Sequence, residues 1–172
     1  MRKASFPCLP IWPARDSYLR KLLDINDVDP YEVPAKQWCK DFASLPPISH
    51  GDLFNYFVFG VSQYTLQEFK AFKTLESYKQ FVDGWVQEIY THKPANCNNT
   101  VIAAKVMHSM RLNEKLLKPW IIADADGTII SAHCDCVAGV GETCTHVGAV
   151  LFKVDAIVRC REKTTVTGVP AY

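Results

Sequence analysis

No run of about 18 apolar residues occurs in this 172-residue chain, so no segment reads as a membrane-spanning helix. Met1-Arg2-Lys3 leads into proline-interrupted sequence and not into an apolar core, which is unlike a secretory signal. An excess of one charge is missing too: 19 Lys and Arg face 18 Asp and Glu, and the net charge of +1 does not by itself mark a nucleic-acid binder. There is no G-x-x-x-x-G-K-[ST] phosphate loop and no internal repeat. Cys39, Cys97 and Cys160 lack a motif partner as nucleophiles, and His50, His92 and His108 stand alone in sequence. Asp124 and Asp126 fall in a turn, where turn chemistry accounts for them. No catalytic residue and no small-molecule substrate is indicated, and the expectation is a non-enzymatic chain.

What is present is enough apolar material, 48% of residues, to bury a core. Seven cysteines is an odd number, and without a secretory signal a disulfide framework is not expected. A reducing compartment suits the thiols, so the expected location is the nucleus, with the cytoplasm as the alternative.

Three of those cysteines lie in one short stretch, His133-Cys134-Asp135-Cys136, then seven residues, then Cys144-Thr145-His146. The pattern C-x-C-x7-C-x-H offers four ligands for a structural Zn2+, which takes a closed tetrahedral set of Cys and His and leaves no position for a reactive water. A redox pair of Cys134 and Cys136 would be strained and would leave the C-x-H unexplained. Cysteines one residue apart suit an extended strand, where alternate side chains share a face, and His133 and Asp135 then point the other way. Val147, Val150, Leu151, Val154, Ile157 and Val158 step by three and four, so Cys144 and His146 open a helix of about Thr145 to Glu162. Gly139 and Gly141 let the loop bend around the ion.

A strand, a ligand loop and a helix carrying C-x-C then C-x-H resemble the SWIM-type zinc finger, and all four ligand positions match its pattern. Thr74-Leu75-Glu76-Ser77-Tyr78, Phe81-Val82 and Gly84-Trp85-Val86-Gln87 resemble, more loosely, the region preceding SWIM fingers in animal proteins that also carry a YqaJ-like viral recombinase domain. With the finger, this covers about the last 60% of the chain. The resemblance implies an accessory role beside a recombinase or transposon-derived machine, with DNA or another protein as partner. In such proteins a nuclease follows the finger, and no stretch here resembles it. The residues after Gly168-Val169-Pro170 would then be a linker.

The expected fold class is α+β: an N-terminal helical region, then a small antiparallel sheet, a zinc knuckle and a closing helix. Residues 1–48 hold seven prolines and read as an arm with short helices at Ser17 to Leu23 and Ala35 to Phe42; Trp38, Phe42 and Leu45 either anchor it or leave it flexible. Residues 49–94 read as helical, with an N-cap at Ser49, a capping box of Thr65 and Glu68, and a helix from about Leu75 to Tyr90 striped by Leu75, Tyr78, Phe81, Val82, Trp85, Val86 and Ile89, with Gly84 inside it. Residues 95–164 read as the zinc-binding domain: a strand over Val101 to Met107, then a hairpin in which Asp124-Ala125-Asp126-Gly127 joins Trp120-Ile121-Ile122 to Thr128-Ile129-Ile130 and delivers Cys134 and Cys136 to the ion. Residues 165–172 read as a tail.

Charge is uneven along the chain: +4 over residues 1–23, −5 over 24–92 and +2 over 93–172. One basic group comprises Lys105, Arg111, Lys115 and Lys118; another comprises Lys153, Arg159, Arg161 and Lys163. If folding joins them, Lys115, Lys118, Arg159 and Arg161 become candidate phosphate contacts. Phe54, Tyr56, Phe57 and Phe59 exceed what one helix face buries and are the candidate protein-docking residues.

Overall fold

The computed structural model describes residues 12–59, 67–108, 115–136 and 144–166. It is an α+β chain of three layers. The central layer is a four-stranded antiparallel sheet in the order β1-β2-β3-β4, with β1 at Val86–His92, β2 at Thr100–Val106, β3 at Trp120–Ala123 and β4 at Ile129–His133. Three helices cover one face: α2 (His50–Phe59), α3 (Gln67–Val82) and α4 (Thr145–Val166). The N-terminal segment, with α1 at Trp12–Leu23, covers the other.

Strand alternation divides the sheet cleanly. Ile89, Ala104, Ile102, Ile121 and Ala132 face the helices and join Val147, Val150, Leu151 and Val154 of α4 in the main core. Val101, Trp120 and Ile122 face the opposite way and pack with Tyr18, Leu22 and Ile25. From residue 12 on, the proline-rich segment is thus an anchored layer. Leu45 is buried and Trp38 packs on the second cluster, whereas Phe42 stays exposed. Within the segment Tyr18 Oη donates to Asp29 at 2.7 Å, and its long-range tie is the buried Lys21 Nζ, which donates to the Ala132 carbonyl of β4 at 2.7 Å.

Two expected helices are corrected. Ala35 to Phe42 is not helical: Cys39 exchanges backbone hydrogen bonds with Thr91 of β1 at 2.8 and 2.9 Å, which holds this stretch extended between 3-10 turns at Ala35–Gln37 and Phe42–Ser44. The helix expected over Leu75 to Tyr90 stops at Val82. Gly84 adopts φ +75°, its N–H bonds the Phe81 carbonyl and the Trp85 N–H bonds the Gln80 carbonyl, both at 3.1 Å. That pair of bonds is the Schellman ending, which needs a left-handed residue and so a glycine. The β-prone run Val86 to His92 then forms β1, a fourth strand within the stretch expected to be helical. The Ser49 cap is present: its Oγ accepts the Asp52 N–H at 3.4 Å while Asp52 Oδ2 accepts the Ser49 N–H at 2.8 Å. The capping box of Thr65 and Glu68 lies outside the described residues.

The closing helix and the hairpin form as expected. In the Asp-Gly turn, Asp124 N–H bonds the Thr128 carbonyl at 2.9 Å and Asp126 Oδ1 accepts the Thr128 N–H at 2.8 Å. α3 and α4 pack at close range through Ser77 and Gly148; a methyl built on Gly148 would lie 2.6 Å from Ser77 Cβ. The buried side of α3 therefore carries Ser77 and Gln80, and Leu75 and Val82 of the expected apolar stripe are exposed.

Candidate metal centre

β4 ends at His133 and the chain passes directly into Cys134 and Cys136, on the side of the sheet that faces the helices. Cys144 precedes α4 and His146 lies in its first turn. The donor atoms of Cys134, Cys136, Cys144 and His146 all lie within 4.8 Å of one another. Tetrahedral coordination with metal–sulfur bonds of roughly 2.3 Å spaces ligands by roughly 3.8 Å, so one ion fits between them. Among the described residues this is the one group of three or more Cys, His, Asp or Glu donors so placed.

The surroundings make the cluster a poor resting place for anything but an ion. Cys134, Cys144 and His146 are buried, and both ring nitrogens of His146 lie away from solvent with no hydrogen-bond partner. Buried polar atoms are nearly always satisfied, and a metal bond would satisfy one of these. The three sulfurs compete for protons. Hydrogen bonding to Cys136 and Cys144, with burial, pushes the Cys134 thiol up, while hydrogen bonds from Cys134 and Cys144 hold Cys136 down. A divalent cation removes that competition by letting each thiol ionise.

Local structure fixes the ligands. Cys144 is the N-cap of α4: its Sγ accepts the Val147 N–H at 3.4 Å and its carbonyl takes the Gly148 N–H at 3.2 Å. Thr145, between the two helical ligands, accepts Gln80 Nε2 at 3.1 Å, which ties α3 to the site. Asp135 is exposed, as expected, and its Oδ1 accepts the Lys118 N–H at 2.8 Å. His133 does point away from the ions' side, but it is not a surface residue: it sits among Tyr18, Tyr31 and Trp120, with ring centroids 4.8, 6.1 and 5.4 Å away. Burial, and then Lys21, lower its pKa to about 4, so it is neutral. The loop with Gly139 and Gly141 lies outside the described residues.

The described basic residues are committed in different ways. Lys115 and Lys118 are exposed beside the knuckle. Arg159 lies about four helical turns along α4 from Cys144 and pairs with Asp155 at 3.5 Å. Arg161 donates to the carbonyls of Phe42, Ala43 and Leu45 at 3.3, 3.3 and 2.9 Å, a structural commitment that the sequence did not reveal. Lys153 donates to the Val86 carbonyl. Arg111 lies outside the described residues. Of the four aromatics of α2, Tyr56 is buried and Phe57 stacks on Phe152 at 5.7 Å, which leaves Phe54 exposed; the Phe59 side chain lies outside the described residues.

The histidines that stood alone in sequence acquire neighbours: the His108 ring lies 6.3 Å from that of His146. His50 Nδ1 is 3.7 Å from Asp155, and His92 Nδ1 is 3.2 Å from the Gln37 carbonyl. Among the described residues no helix is long and apolar enough to cross a membrane. No protein-family model, characterised protein or solved structure matches the chain.

Proposed function

We propose that the chain is a zinc-stabilised, non-catalytic module that binds nucleic acid. The reading of zinc rests on the donor set: three thiolates and an imidazole, closed and buried, suit a borderline-soft ion with no demand for an open coordination position. Roughly 10 to 16 kcal/mol of apparent binding energy comes from such an ion in finger peptides at neutral pH. The ion joins the end of β4 to the start of α4, so it acts on the fold and not on a substrate.

The observation that carries the nucleic-acid reading is the bond from the Lys118 N–H to Asp135 Oδ1. Asp135 stands between two ligands, so the metal knuckle ties down the segment ahead of β3 at the exposed Lys118. Arg159 is a weaker contributor because Asp155 neutralises it, and Arg161 is spent inside the fold. The likeness of the ligand spacing to SWIM fingers favours DNA as the polymer, a recombinase- or transposon-related machine as the setting and the nucleus as the location. Two measurements test the reading. Elemental analysis of natively purified protein should return one zinc per chain, and another metal or none overturns the ion's identity. Mobility shifts with single- and double-stranded DNA at low and moderate salt should show binding that weakens as salt rises; no shift with either overturns the function.

A second reading has its own support. Phe54 is 57% exposed on α2, and Leu75 and Val82 are 69% and 62% exposed on α3. Such apolar surface suits a protein partner or another part of a longer polypeptide. Pull-down with Phe54→Ser, if the variant folds and captures as much partner as the parent, removes this reading.

A further inference from the structure

The face of the sheet turned away from the metal carries a gap that its neighbours do not fill. The register sets Tyr90 of β1 opposite Ala103 of β2, and Ala103 opposite Trp120 of β3, so one row across the sheet reads large, small, large. Directly paired residues project from the same face. Two inter-strand spacings, roughly 9.6 Å, separate the outer two strands, and only a methyl group rises between their aromatic side chains. A planar ring packed against walls on both sides needs roughly 7 to 8 Å.

The N-terminal layer roofs this gap without closing it. Trp38 stands over Tyr90 with centroids 6.4 Å apart, and Tyr31 is fixed from the other side by its Oη, which donates to the Lys118 carbonyl at 3.1 Å. The result is a cleft of about 290 Å³. Trp120, 1% exposed, closes the back, while Trp38 and the more open Tyr31 offer ring surface to an occupant.

Charge at the mouth selects the occupant. Lys105 and Lys118 both border the cleft. Lys40 and Lys105 lie over the Tyr90 ring at 5.2 and 5.5 Å, and one carboxylate, Glu88, serves both ammonium groups at 3.6 and 3.2 Å. An aromatic cage for a cationic ligand needs free ring faces and no competing ammonium. Here the ammonium groups already occupy the position that such a ligand would take, and a positive rim around aromatic walls suits a flat group that carries negative charge.

We propose that this cleft binds an unpaired nucleobase, stacked on its aromatic walls, with the flanking phosphate on Lys105 and Lys118. This deepens the nucleic-acid reading above, since Lys118 belongs to both. Base–aromatic stacking is tolerant of base identity but needs a base free of its duplex partner, so the site discriminates single strands from duplexes.

The test uses the zinc-loaded full chain and follows tryptophan fluorescence on titration with oligodeoxythymidylate, an abasic strand of equal length, a duplex and a mononucleotide. Ala103→Leu fills the gap and leaves the lysines and the metal ligands in place; metal content and melting temperature check its fold. Tyr31→Leu, on an exposed wall, is the second variant if Ala103→Leu does not fold. The oligonucleotide should bind roughly tenfold or more tighter to the parent than to either variant, and tighter than the abasic strand does. A mononucleotide that competes as strongly as the strand assigns the site to free nucleotides, and one that competes weakly assigns it to a polymer; both support a base in the cleft. Equal affinity of folded Ala103→Leu and parent, or of abasic and base-bearing strands, overturns the cleft while leaving phosphate-mediated binding intact. Absence of any binding to strand or duplex takes down the parent reading as well.

Discussion

Cys144 accepts the backbone N–H of Val147 at 3.4 Å, so one sulfur is both a prospective metal ligand and the N-cap of α4. Hydrogen bonding to Cys134 and the Val147 N–H favours the thiolate, but Cys136 and burial outweigh it and push the metal-free Cys144 thiol up to about 12, so an ion is what draws the proton off. Metal binding and helix initiation are thereby the same local event, and chemistry at this position is read twice.

The two roles separate by substitution. Cys144→Ala removes ligand and cap, whereas Cys144→Ser keeps a capping oxygen but loses the soft donor. Both should lose stoichiometric zinc by elemental analysis, and the serine variant should retain about 1 kcal/mol more stability in denaturant melts with chelator present. Retention of one tightly held ion by Cys144→Ala contradicts the site.

Chelation should cost far more than any single substitution, because an ion held by the four donors would join β4 to α4 within the main core. Binding requires deprotonated thiols and so releases protons, which makes affinity fall as pH falls. The sign is fixed by the ligands: the metal-bound state holds fewer protons than the metal-free state, and acid therefore drives release. Circular dichroism with and without chelator, repeated at neutral and mildly acidic pH, should show loss of helix at lower chelator concentration in acid. A melting curve indifferent to chelator shows that the core alone sustains the fold.

Gly84 separates the cost of a backbone angle from that of a collision. Its φ is +75° and nothing lies within 4 Å of where a Cβ would project. Gly84→Ala should therefore lose about 1 to 2 kcal/mol from the left-handed conformation alone, and Gly84→Asn less, since asparagine tolerates that region better. Equal losses for the two in urea titrations argue that another interaction dominates.

This glycine also shows what the sequence could and could not reveal. Val82, Trp85, Val86 and Ile89 fit a 3.6-residue stripe as well as they fit a helix end followed by a strand, and periodicity alone does not choose. The choice is made by the edge of β2, the next strand in the chain, whose hydrogen-bonding groups lie beyond the Leu75 to Tyr90 window and recruit Val86 to His92. The hairpin and the ligand quartet were legible because their information is local: an Asp-Gly turn, an i, i+2 pair on a strand, a cap at a helix start. The N-terminal layer was not legible as a layer, since Tyr18 with His133 and Lys21 with Ala132 are contacts across more than a hundred residues. The cleft over Ala103 is invisible in sequence for a related reason, because it exists only in the register of three strands.

Gly148 should respond in the opposite sense to its helix propensity. Alanine is favoured over glycine by up to about 1 kcal/mol in a helix interior. Yet a Cβ here meets Ser77 Cβ at 2.6 Å, and a rigid helix pair relieves this only by moving apart. Gly148→Ala should destabilise by about 1 to 3 kcal/mol. Ser77→Gly in the same chain should recover part of the loss, a coupling that a double-mutant cycle measures; full additivity would mean that the two helices do not press on each other at this point.

Arg161 and Lys118 provide the sharpest contrast among the basic residues. Arg161 holds three carbonyls of the Phe42 to Leu45 segment from the far part of α4, whereas the exposed Lys118 side chain borders the cleft. Arg161→Gln should lower stability by about 1 kcal/mol, since the bonds to Phe42 and Ala43 are exposed and that to Leu45 is partly buried, and leave the salt dependence of DNA binding unchanged where the variant is folded. Lys118→Gln should do the reverse, with a melt close to the parent and a log–log salt slope smaller by about 1, the signature of one phosphate contact removed. If the slope instead falls with Arg161→Gln and stays put with Lys118→Gln, the nucleic acid lies along α4, and the knuckle-side surface is not where it binds.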